Sequence, residues 1–329
     1  MSDLVTLQEI EDAAGRLSGV AVRTPLVSFP GTNLLLKPES LQPVGSFKLR
    51  GAFAAISGLP EDDRKNGVIA HSSGNHAQAV AYAANVLGTS AVLVIPRTTP
   101  AVKVDACRRM GAEIVFVEPT MEARLEMAER LAAAHDYSLI PPFDDRQVIA
   151  GQGTAGLEIL EDDPEVDAVL VPISGGGLIS GIGAAIKSKR PETKVIGVEP
   201  GLAADARASF RAGRRIAWPS AETSRTIADG LRAECVGELP FAHLREYVDD
   251  VVTVSEEEIR EAMRLLAQRA RLVAEPSGAV AAAAYLSGRL DAGYAHGRRD
   301  QRYVAVVSGG NVDPALYAEV LAEAGEEGR

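Results

Sequence analysis

Short, nearly continuous apolar runs alternate with longer helical segments along this chain. The runs with strand character are GVIAH (67–71), SAVLVIP (90–96), EIVFVE (113–118), DAVLVPIS (167–174), KVIGVE (194–199) and YVAVVSGG (303–310). Continuous apolar strands are typical of parallel sheets that helices cover on both faces. Helical patterns occupy residues 75–88, 102–111 and 121–134. The alternation predicts an α/β fold built on parallel strands with right-handed crossovers.

Two helix starts are marked by capping boxes, in which a hydroxyl residue stands three positions before a glutamate. Thr6 precedes Glu9, and Ser255 precedes Glu258, with this spacing. Each pair can satisfy backbone N–H groups that a helix start leaves free. Residues 203–232 lack strand-like runs, and we expect helices and loops there.

Composition excludes several classes of protein. The 329 residues, 46% of them hydrophobic, suffice for two domains. The net charge of −11 leaves no basic surplus to neutralise nucleic-acid phosphates or anionic lipids. No apolar run reaches the roughly 20 residues of a membrane span, and the acidic amino terminus does not resemble a secretory signal. Cys107 and Cys235 are too few for a disulfide framework or a thiolate metal site. We therefore expect a cytoplasmic protein without nucleic-acid or membrane partners.

The first candidate for chemistry is Lys48, in the segment PVGSFKLRG (43–51). Gly45 and Ser46 supply a turn and a possible N-cap, which would place Lys48 in the first turn of a helix. The positive helix end and the apolar neighbours Phe47 and Leu49 would lower the pKa of its amine, as a nucleophilic lysine requires. The alternative is an ordinary exposed lysine at a helix start.

The second candidate is the polar segment SSGNHAQ (72–78), which follows a strand and opens a helix. In open α/β sheets, ligands bind at the carboxyl ends of the strands, and helix N-termini attract carboxylates and phosphates. Ser72, Ser73, Asn75 and His76 offer more polar groups than one helix cap needs. The alternative is that Ser72 or Ser73 only caps the helix.

The third candidate is the glycine-rich turn SGGGLISGIG (174–183), again between a strand and a helix. Adjacent glycines let backbone amides approach an anion closely, which favours a phosphate cradle. A dinucleotide fingerprint would need glycine at Ser180, where Gly181 comes one position late, but Glu199 stands at about the distance of a ribose-binding acid. A nicotinamide site and a plain tight turn therefore remain alternatives, and Ser308 opens a further glycine-containing turn.

Glu199 and Asp205, with a backbone carbonyl between them, could supply oxygen ligands to Mg²⁺ or Ca²⁺. Two carboxylates at this separation are common by chance, so the spacing alone is a weak signal. None of the five histidines has the spacing of a zinc site.

Taken together and in order, these segments resemble the fold-type II pyridoxal-phosphate enzymes of the threonine/serine dehydratase and serine racemase group. The resemblance covers nearly the whole chain. Its motifs are RTPL (23–26), LKPESLQPVGSFKLRGA (36–52), SSGNHAQ (72–78), PFDD (142–145), VIAGQGT (148–154), GGGL (175–178), IADG (227–230), EPSGA (275–279) and SGGNVD (308–313). The pattern departs from the family at Pro141, where dehydratases often have histidine.

The resemblance assigns roles to individual residues. Lys48 would bind the cofactor aldehyde, Phe47 would pack on the pyridine ring and Asn75 would bind its phenolic oxygen. The phosphate would be held by a cradle formed by Ser174, Gly175, Gly176, Gly177 and Leu178. Ser308 would face the pyridine nitrogen. Ser72, Asn75 and His76 would receive the substrate carboxylate, and Glu199, Ala203 and Asp205 would bind a divalent cation.

The resemblance also implies a fold and a reaction. The fold is that of tryptophan synthase β, with two open, twisted, mostly parallel sheets flanked by helices. Residues 1–52 and 146–329 would form a large cofactor domain and residues 53–145 a small domain, with the active site in the cleft between them. The expected enzyme is a homodimeric ammonia-lyase that converts threonine or serine to a 2-oxo acid and ammonia.

Several other functions stay open. Serine racemase and 3-hydroxyaspartate dehydratase are close alternatives, and a hydroxyl at Ser73 could pass a proton to the second face of the substrate carbanion. A nicotinamide oxidoreductase and a ligand-binding module without catalysis are more distant ones.

Overall fold

The computed structural model describes residues 4–72, 74–290 and 301–323. Its strands form two separate sheets, one of six strands in the order β1-β2-β10-β7-β8-β9 and one of four in the order β5-β4-β3-β6. The strands are Val27–Ser28 (β1), Leu34–Pro38 (β2), Val68–Ala70 (β3), Ala91–Pro96 (β4), Glu113–Val117 (β5), Ser138–Leu139 (β6), Ala168–Pro172 (β7), Lys194–Pro200 (β8), Asp250–Val254 (β9) and Tyr303–Val307 (β10). All pairs are parallel except β1 with β2, which confirms the predicted mostly parallel α/β architecture.

Helices surround both sheets. They are Leu7–Leu17 (α1), Lys48–Ser57 (α2), Glu61–Asn66 (α3), Asn75–Leu87 (α4), Ala101–Arg109 (α5), Met121–His135 (α6), Arg146–Asp162 (α7), Gly177–Lys189 (α8), Asp205–Ala212 (α9), Ser220–Thr223 (α10), Glu238–Tyr247 (α11), Glu256–Leu265 (α12), Pro276–Leu286 (α13) and Pro314–Ala322 (α14). Short 3-10 turns at Glu39–Leu41 and Asp229–Leu231 and a π-helical turn at Leu266–Ala270 complete the elements. No helix in the described ranges has the length and apolar character needed to cross a bilayer.

Both predicted capping boxes are present. Thr6 and Glu9 exchange hydrogen bonds at the start of α1, and Ser255 and Glu258 do the same at the start of α12. Residues 203–232 form helices, a 3-10 turn and loops without a strand, as expected.

The predicted apolar runs lie in strands, and the central ones are completely buried. Every residue of β7 and β10 is buried, because helices cover both faces of the large sheet. Among strands longer than two residues, the prediction missed β2 and β9, which bear the polar residues Lys37, Asp250 and Thr253 among apolar ones. The missed β2 lies beside β10 and leads by way of the turn at Glu39–Leu41 toward α2.

The strands of the two sheets come from different parts of the chain. Strands β3 to β6 of the small sheet fall within residues 68–139, inside the range expected for the small domain. The strands of the large sheet come from either side of that range. Helix α2 packs against α4 and α7, and α7 packs against α8, so these four helices form a connected layer.

Candidate active site

A buried ion network anchors the helix that carries Lys48. Arg50, two residues later on α2, is fully buried and pairs with Glu39 through Nε at 2.7 Å and Nη2 at 2.8 Å. Its other contacts reach Glu158 at 2.7 and 2.8 Å, and Lys37 Nζ binds the same carboxylate at 2.6 Å. Because bidentate guanidinium–carboxylate pairs constrain both partners, this network fixes the orientation of α2 relative to α7.

Lys48 is the first residue of α2, so its predicted place in the first helical turn is confirmed. Its Nζ donates to the Pro142 carbonyl at 2.5 Å and lies 5.1 Å from the centre of the Phe47 ring. Burial lowers the pKa of the amine to about 8, as the sequence predicted. The amine can therefore be neutral in a sizeable fraction of molecules near physiological pH.

The predicted N-cap at Ser46 is wrong. The residue at that position of α2 is Phe47, which makes no side-chain cap, and its N–H donates to the Ser308 carbonyl at 3.0 Å instead. The Ser46 hydroxyl is buried and has no hydrogen-bond partner in the described structure. A bridge between Ser46 and Gly309 orders this loop, so tertiary contact replaces the local cap.

The polar segment after β3 opens α4 as predicted, with Gly74 as a cap residue that makes no side-chain cap bond. Ser72 is partly exposed at the carboxyl end of β3, and Asn75 is the first residue of the helix. The role predicted for Ser73 falls on a residue outside the described part of the chain.

His76 is buried and held by the protein. Its Nε2 donates to the Ile140 carbonyl at 2.8 Å, while its Nδ1 has no partner in the described structure. Burial, with a smaller contribution from the charge of Lys48, lowers the pKa of this imidazole to about 3. His76 is therefore neutral, and its side chain has no free N–H to offer a carboxylate.

The glycine turn lies between β7 and α8. Gly176 has φ +92°, a left-handed conformation that favours glycine, and Gly177 begins the helix. A methyl group on Gly175 would overlap the Phe143 ring, and one on Gly177 would lie 3.0 Å from the Phe143 backbone. The first N–H groups of α8 have no partner within the helix, so the turn can hold an anion.

The remaining cofactor residues predicted from the resemblance lie around this turn. Ser174 Oγ accepts a hydrogen bond from the Ala233 N–H at 3.2 Å, and Leu178 is buried behind the turn. Ser308, at the end of β10, is 3% exposed, and its hydroxyl donates weakly to the Ser277 carbonyl at 3.4 Å. The turn, Lys48 and Ser308 therefore lie at the carboxyl ends of β7 and β10 and at the start of α2.

Glu199, Ala203 and Asp205 are all buried next to one another between β8 and α9. The Glu199 carboxylate accepts the Ala206 and Arg207 N–H groups, whereas neither oxygen of Asp205 accepts a well-formed hydrogen bond from the described residues. Burial raises the pKa of Asp205 to about 7, and burial together with the Asp205 charge raises that of Glu199. Within the described ranges, no three His, Cys, Asp or Glu side chains converge on one metal position.

Comparison with known proteins decides the family. The family model described as pyridoxal-phosphate dependent enzyme matches residues 17–309. This chain belongs to that family. It falls within the threonine dehydratase and serine racemase group, and its fold is that of the fold-type II enzymes.

Individual relatives have different activities. The L-threonine ammonia-lyase of Thermotoga maritima is 42% identical over 97% of this chain and 78% of its own. The L-threo-3-hydroxyaspartate ammonia-lyase of Saccharomyces cerevisiae is 40% identical over 96% of both chains. The solved structure of maize serine racemase superposes with a TM-score of 0.91 at 39% identity, covering 96% of each chain.

The residues present fit pyridoxal phosphate better than a nicotinamide dinucleotide. The glycine turn and the partly buried amine of Lys48 are what a phosphorylated aldehyde requires. Glu199, which a ribose would need, is inaccessible and already bonded to the start of α9. The nicotinamide alternative therefore does not hold.

Proposed function

We propose that this enzyme is an ammonia-lyase that converts L-threonine or L-serine to a 2-oxo acid and ammonia. The observation that carries the proposal is the short link between Lys48 and the glycine turn. Lys48 Nζ binds the carbonyl of Pro142, and the next residue, Phe143, packs against Gly175 and Gly177. A phosphorylated aldehyde held by the turn would thus be within the same small site as the amine, and the activities named for the relatives support this assignment.

The chain would hold the cofactor with groups of different chemistry. Backbone N–H groups of Gly175, Gly176, Gly177 and Leu178 would bind the phosphate, with Ser174 beside them. Phe47 would pack on the ring, and Asn75 would donate to its phenolic oxygen. When bound, pyridoxal phosphate supplies an electron sink for negative charge at the substrate Cα.

Lys48 would remove the proton from Cα. Its lowered pKa of about 8 makes a neutral amine available, and the Pro142 carbonyl holds the nitrogen in place. Ser308 would face the ring nitrogen with a neutral hydroxyl. A hydroxyl cannot balance a positive ring as a carboxylate would, and this favours prompt loss of the β-hydroxyl over transamination.

The substrate carboxylate would lie at the start of α4. Ser72 and Asn75 contribute side chains, and the free N–H groups of the helix start attract an anion. His76 would donate its backbone N–H to the carboxylate. Its neutral imidazole would line the site without donating to the substrate, because the side-chain N–H is bonded to Ile140.

A visible absorbance of the lysine-linked cofactor tests this proposal. The purified protein should absorb in the visible range, and borohydride should remove the band. Lys48→Ala should lack the band and all activity, whereas Lys65→Ala, a change at an exposed lysine of α3, should retain both. A protein without the lysine-linked band, or a Lys48→Ala variant that retains it, would contradict the proposal.

A racemase activity is the second candidate, because serine racemases are among the relatives. A panel of L-threonine, L-serine and L-threo-3-hydroxyaspartate, assayed for 2-oxo acid release and for inversion at Cα, separates the alternatives. We expect Ser73→Ala to suppress inversion more than deamination. Equal loss of both would reduce Ser73 to a binding residue.

We also propose that Glu199, Asp205 and the Ala203 carbonyl bind Mg²⁺, Mn²⁺ or Ca²⁺. Two buried carboxylates, one of which accepts no well-formed hydrogen bond from the described residues, favour a bound cation. Added Mg²⁺, Mn²⁺ or Ca²⁺ should raise the melting temperature of the enzyme, and Asp205→Asn should abolish that rise. If the rise persists in Asp205→Asn, the cation binds elsewhere.

A homodimer and a cytoplasmic location are further proposals. Val22 and Leu41 are 45% and 51% exposed, and the side chain of Gln42, the residue after Leu41, hydrogen-bonds to the backbone of Val22. We take these exposed apolar side chains as the candidate subunit contact. Sedimentation of the holoenzyme tests the dimer, and cell fractionation tests the location.

A further inference from the structure

A partly buried hydrogen-bond chain lies behind Asn75. Asn311 Nδ2 donates to the Val44 carbonyl at 2.8 Å and to Asn75 Oδ1, also at 2.8 Å. Asn75 Nδ2 donates to Glu275 Oε1 at 2.6 Å. The chain thus joins the loop before Lys48, the start of α4 and the start of α13.

The orientation of each amide in this chain follows from its partners. A backbone carbonyl only accepts, so Asn311 must turn its NH₂ group toward Val44. The same NH₂ group faces Asn75, which must therefore present its oxygen. The NH₂ group of Asn75 is left facing the Glu275 carboxylate, an acceptor that matches it. One N–H of Asn75 is used in that bond, and the second remains for a ligand oxygen.

Glu275 is built into this position. It is 4% exposed, and its N–H donates to the Gly309 carbonyl at 3.0 Å. A methyl group on Gly309 would overlap Glu275 Oε1 and lie 3.2 Å from Asn75 Nδ2, so the glycine leaves room for the carboxylate.

Glu275 also departs from ordinary helix-start behaviour. It is the N-cap residue of α13, but its side chain makes no cap hydrogen bond and bonds to Asn75 instead. Burial and the nearby Asp229 raise the pKa of Glu275 to about 7, while Asn75 and Lys103 oppose the rise. A carboxylate buried at this cost without a helix-capping role points to another use.

We propose that Glu275 is a positioning residue for the reaction. It fixes the Asn75 amide so that one N–H stays available to the phenolic oxygen of the cofactor. This inference rests on the proposed function, because the contact between Asn75 and the cofactor belongs to that proposal. Without Glu275 the NH₂ group of Asn75 would lose its acceptor, and the amide could turn or tilt.

The experiment compares Glu275→Met with Glu275→Gln in the holoenzyme. Met removes the acceptor at similar size, whereas Gln can still accept from Asn75 through its carbonyl oxygen. For Glu275→Met we expect a shifted visible absorbance maximum and a kcat about tenfold to a hundredfold lower, the loss typical of a charge-assisted hydrogen bond. KM should change much less. Glu275→Gln should restore the absorbance maximum and most of kcat.

Two further variants make the result decisive. Asn311→Asp keeps the shape of the side chain but cannot donate to Asn75 when ionised, so it should cause the same spectral shift even if Glu275→Met does not fold. Glu257→Met, a change at an exposed glutamate of α12, is the matched control and should leave the spectrum unchanged.

The outcomes separate the two proposals. A wild-type protein without a lysine-linked band overturns the proposed function. A wild-type band that Asn311→Asp and any folded Glu275→Met leave unchanged overturns only the role of Glu275. A change confined to the urea midpoint, with spectrum and kcat intact, makes Glu275 a purely structural residue and also overturns the inference.

Discussion

Gly181→Ala should destabilise the enzyme although it improves local helix propensity. Gly181 lies on α8 where this helix crosses α7. The atoms nearest to it across the crossing belong to the backbone of Ile149 and Gly153 in α7. A methyl group there would come closer than 3.0 Å to the Ile149 carbonyl oxygen and the Gly153 nitrogen and 2.9 Å from Gly153 Cα. Backbone atoms cannot rotate away as a flexible side chain can, so α8 would have to move.

The magnitude follows from two opposing contributions. Overpacking in a close-packed core costs about 1–3 kcal/mol, and more where the neighbours cannot yield. Replacing glycine by alanine inside a helix returns about 1 kcal/mol. We expect a net loss of about 2 kcal/mol in the free energy of unfolding, or roughly 3 °C in melting temperature for a chain of this size.

Gly15→Ala is the matched control. Gly15 lies in α1 and is exposed, and a methyl group on it would meet no atom within 4 Å. The same substitution should therefore stabilise the protein by about 0.5–1 kcal/mol. Urea unfolding of both variants measures the difference. Because α8 begins at the glycine turn, Gly181→Ala should also raise the dissociation constant of pyridoxal phosphate. A Gly181→Ala protein at least as stable as Gly15→Ala would refute the reasoning.

Two further predictions concern buried charge and acid. Arg50→Met should lower the free energy of unfolding by about 3–5 kcal/mol, because it leaves two glutamates without their buried partner. Arg23→Met, at an exposed ion pair, should lower it by less than about 1 kcal/mol. Urea unfolding of the two variants measures the difference. His243 accepts the Val5 N–H at Nε2, and burial lowers its pKa below the ordinary 6.5. The unfolded chain therefore takes up a proton at a higher pH than the folded chain does. The free energy of unfolding consequently decreases as the pH falls below 6.5. His243→Gln should reduce the difference in urea midpoint between about pH 7.5 and about pH 5.5, whereas His135→Gln at an exposed histidine should not.

Much of the fold was predictable because its signals are local. Six apolar runs became strands, and the hydroxyl–glutamate pairs at Thr6 and Ser255 became caps, since these depend on neighbours within a few residues. Strand β9, DVVTV, was missed because Asp250 and Thr253 interrupt the continuous apolar pattern by which the other strands were identified. Strand β2 was missed because it contains Lys37, whose burial depends on Glu158.

The candidate site divides in the same way. Lys48, the segment after β3 and the glycine turn were identifiable because each joins a loop to a helix start, where backbone N–H groups are free. Glu275 was visible only as part of a motif, and no local signal pairs it with Asn75, which lies 200 residues away. The Ser46 cap was wrong because a bridge to Gly309 orders that loop instead.

The sequence by itself determined the α/β alternation, the helix starts and the residue types that pyridoxal phosphate requires. Only the tertiary structure determined that the Pro142 carbonyl contacts the Lys48 amine, that His76 is neutral and how the Asn75 amide is oriented. The physical reason is the separation along the sequence over which each effect acts. Propensities and caps act over a few residues, whereas pKa values and hydrogen-bond direction depend on desolvation and on partners that only folding brings into contact.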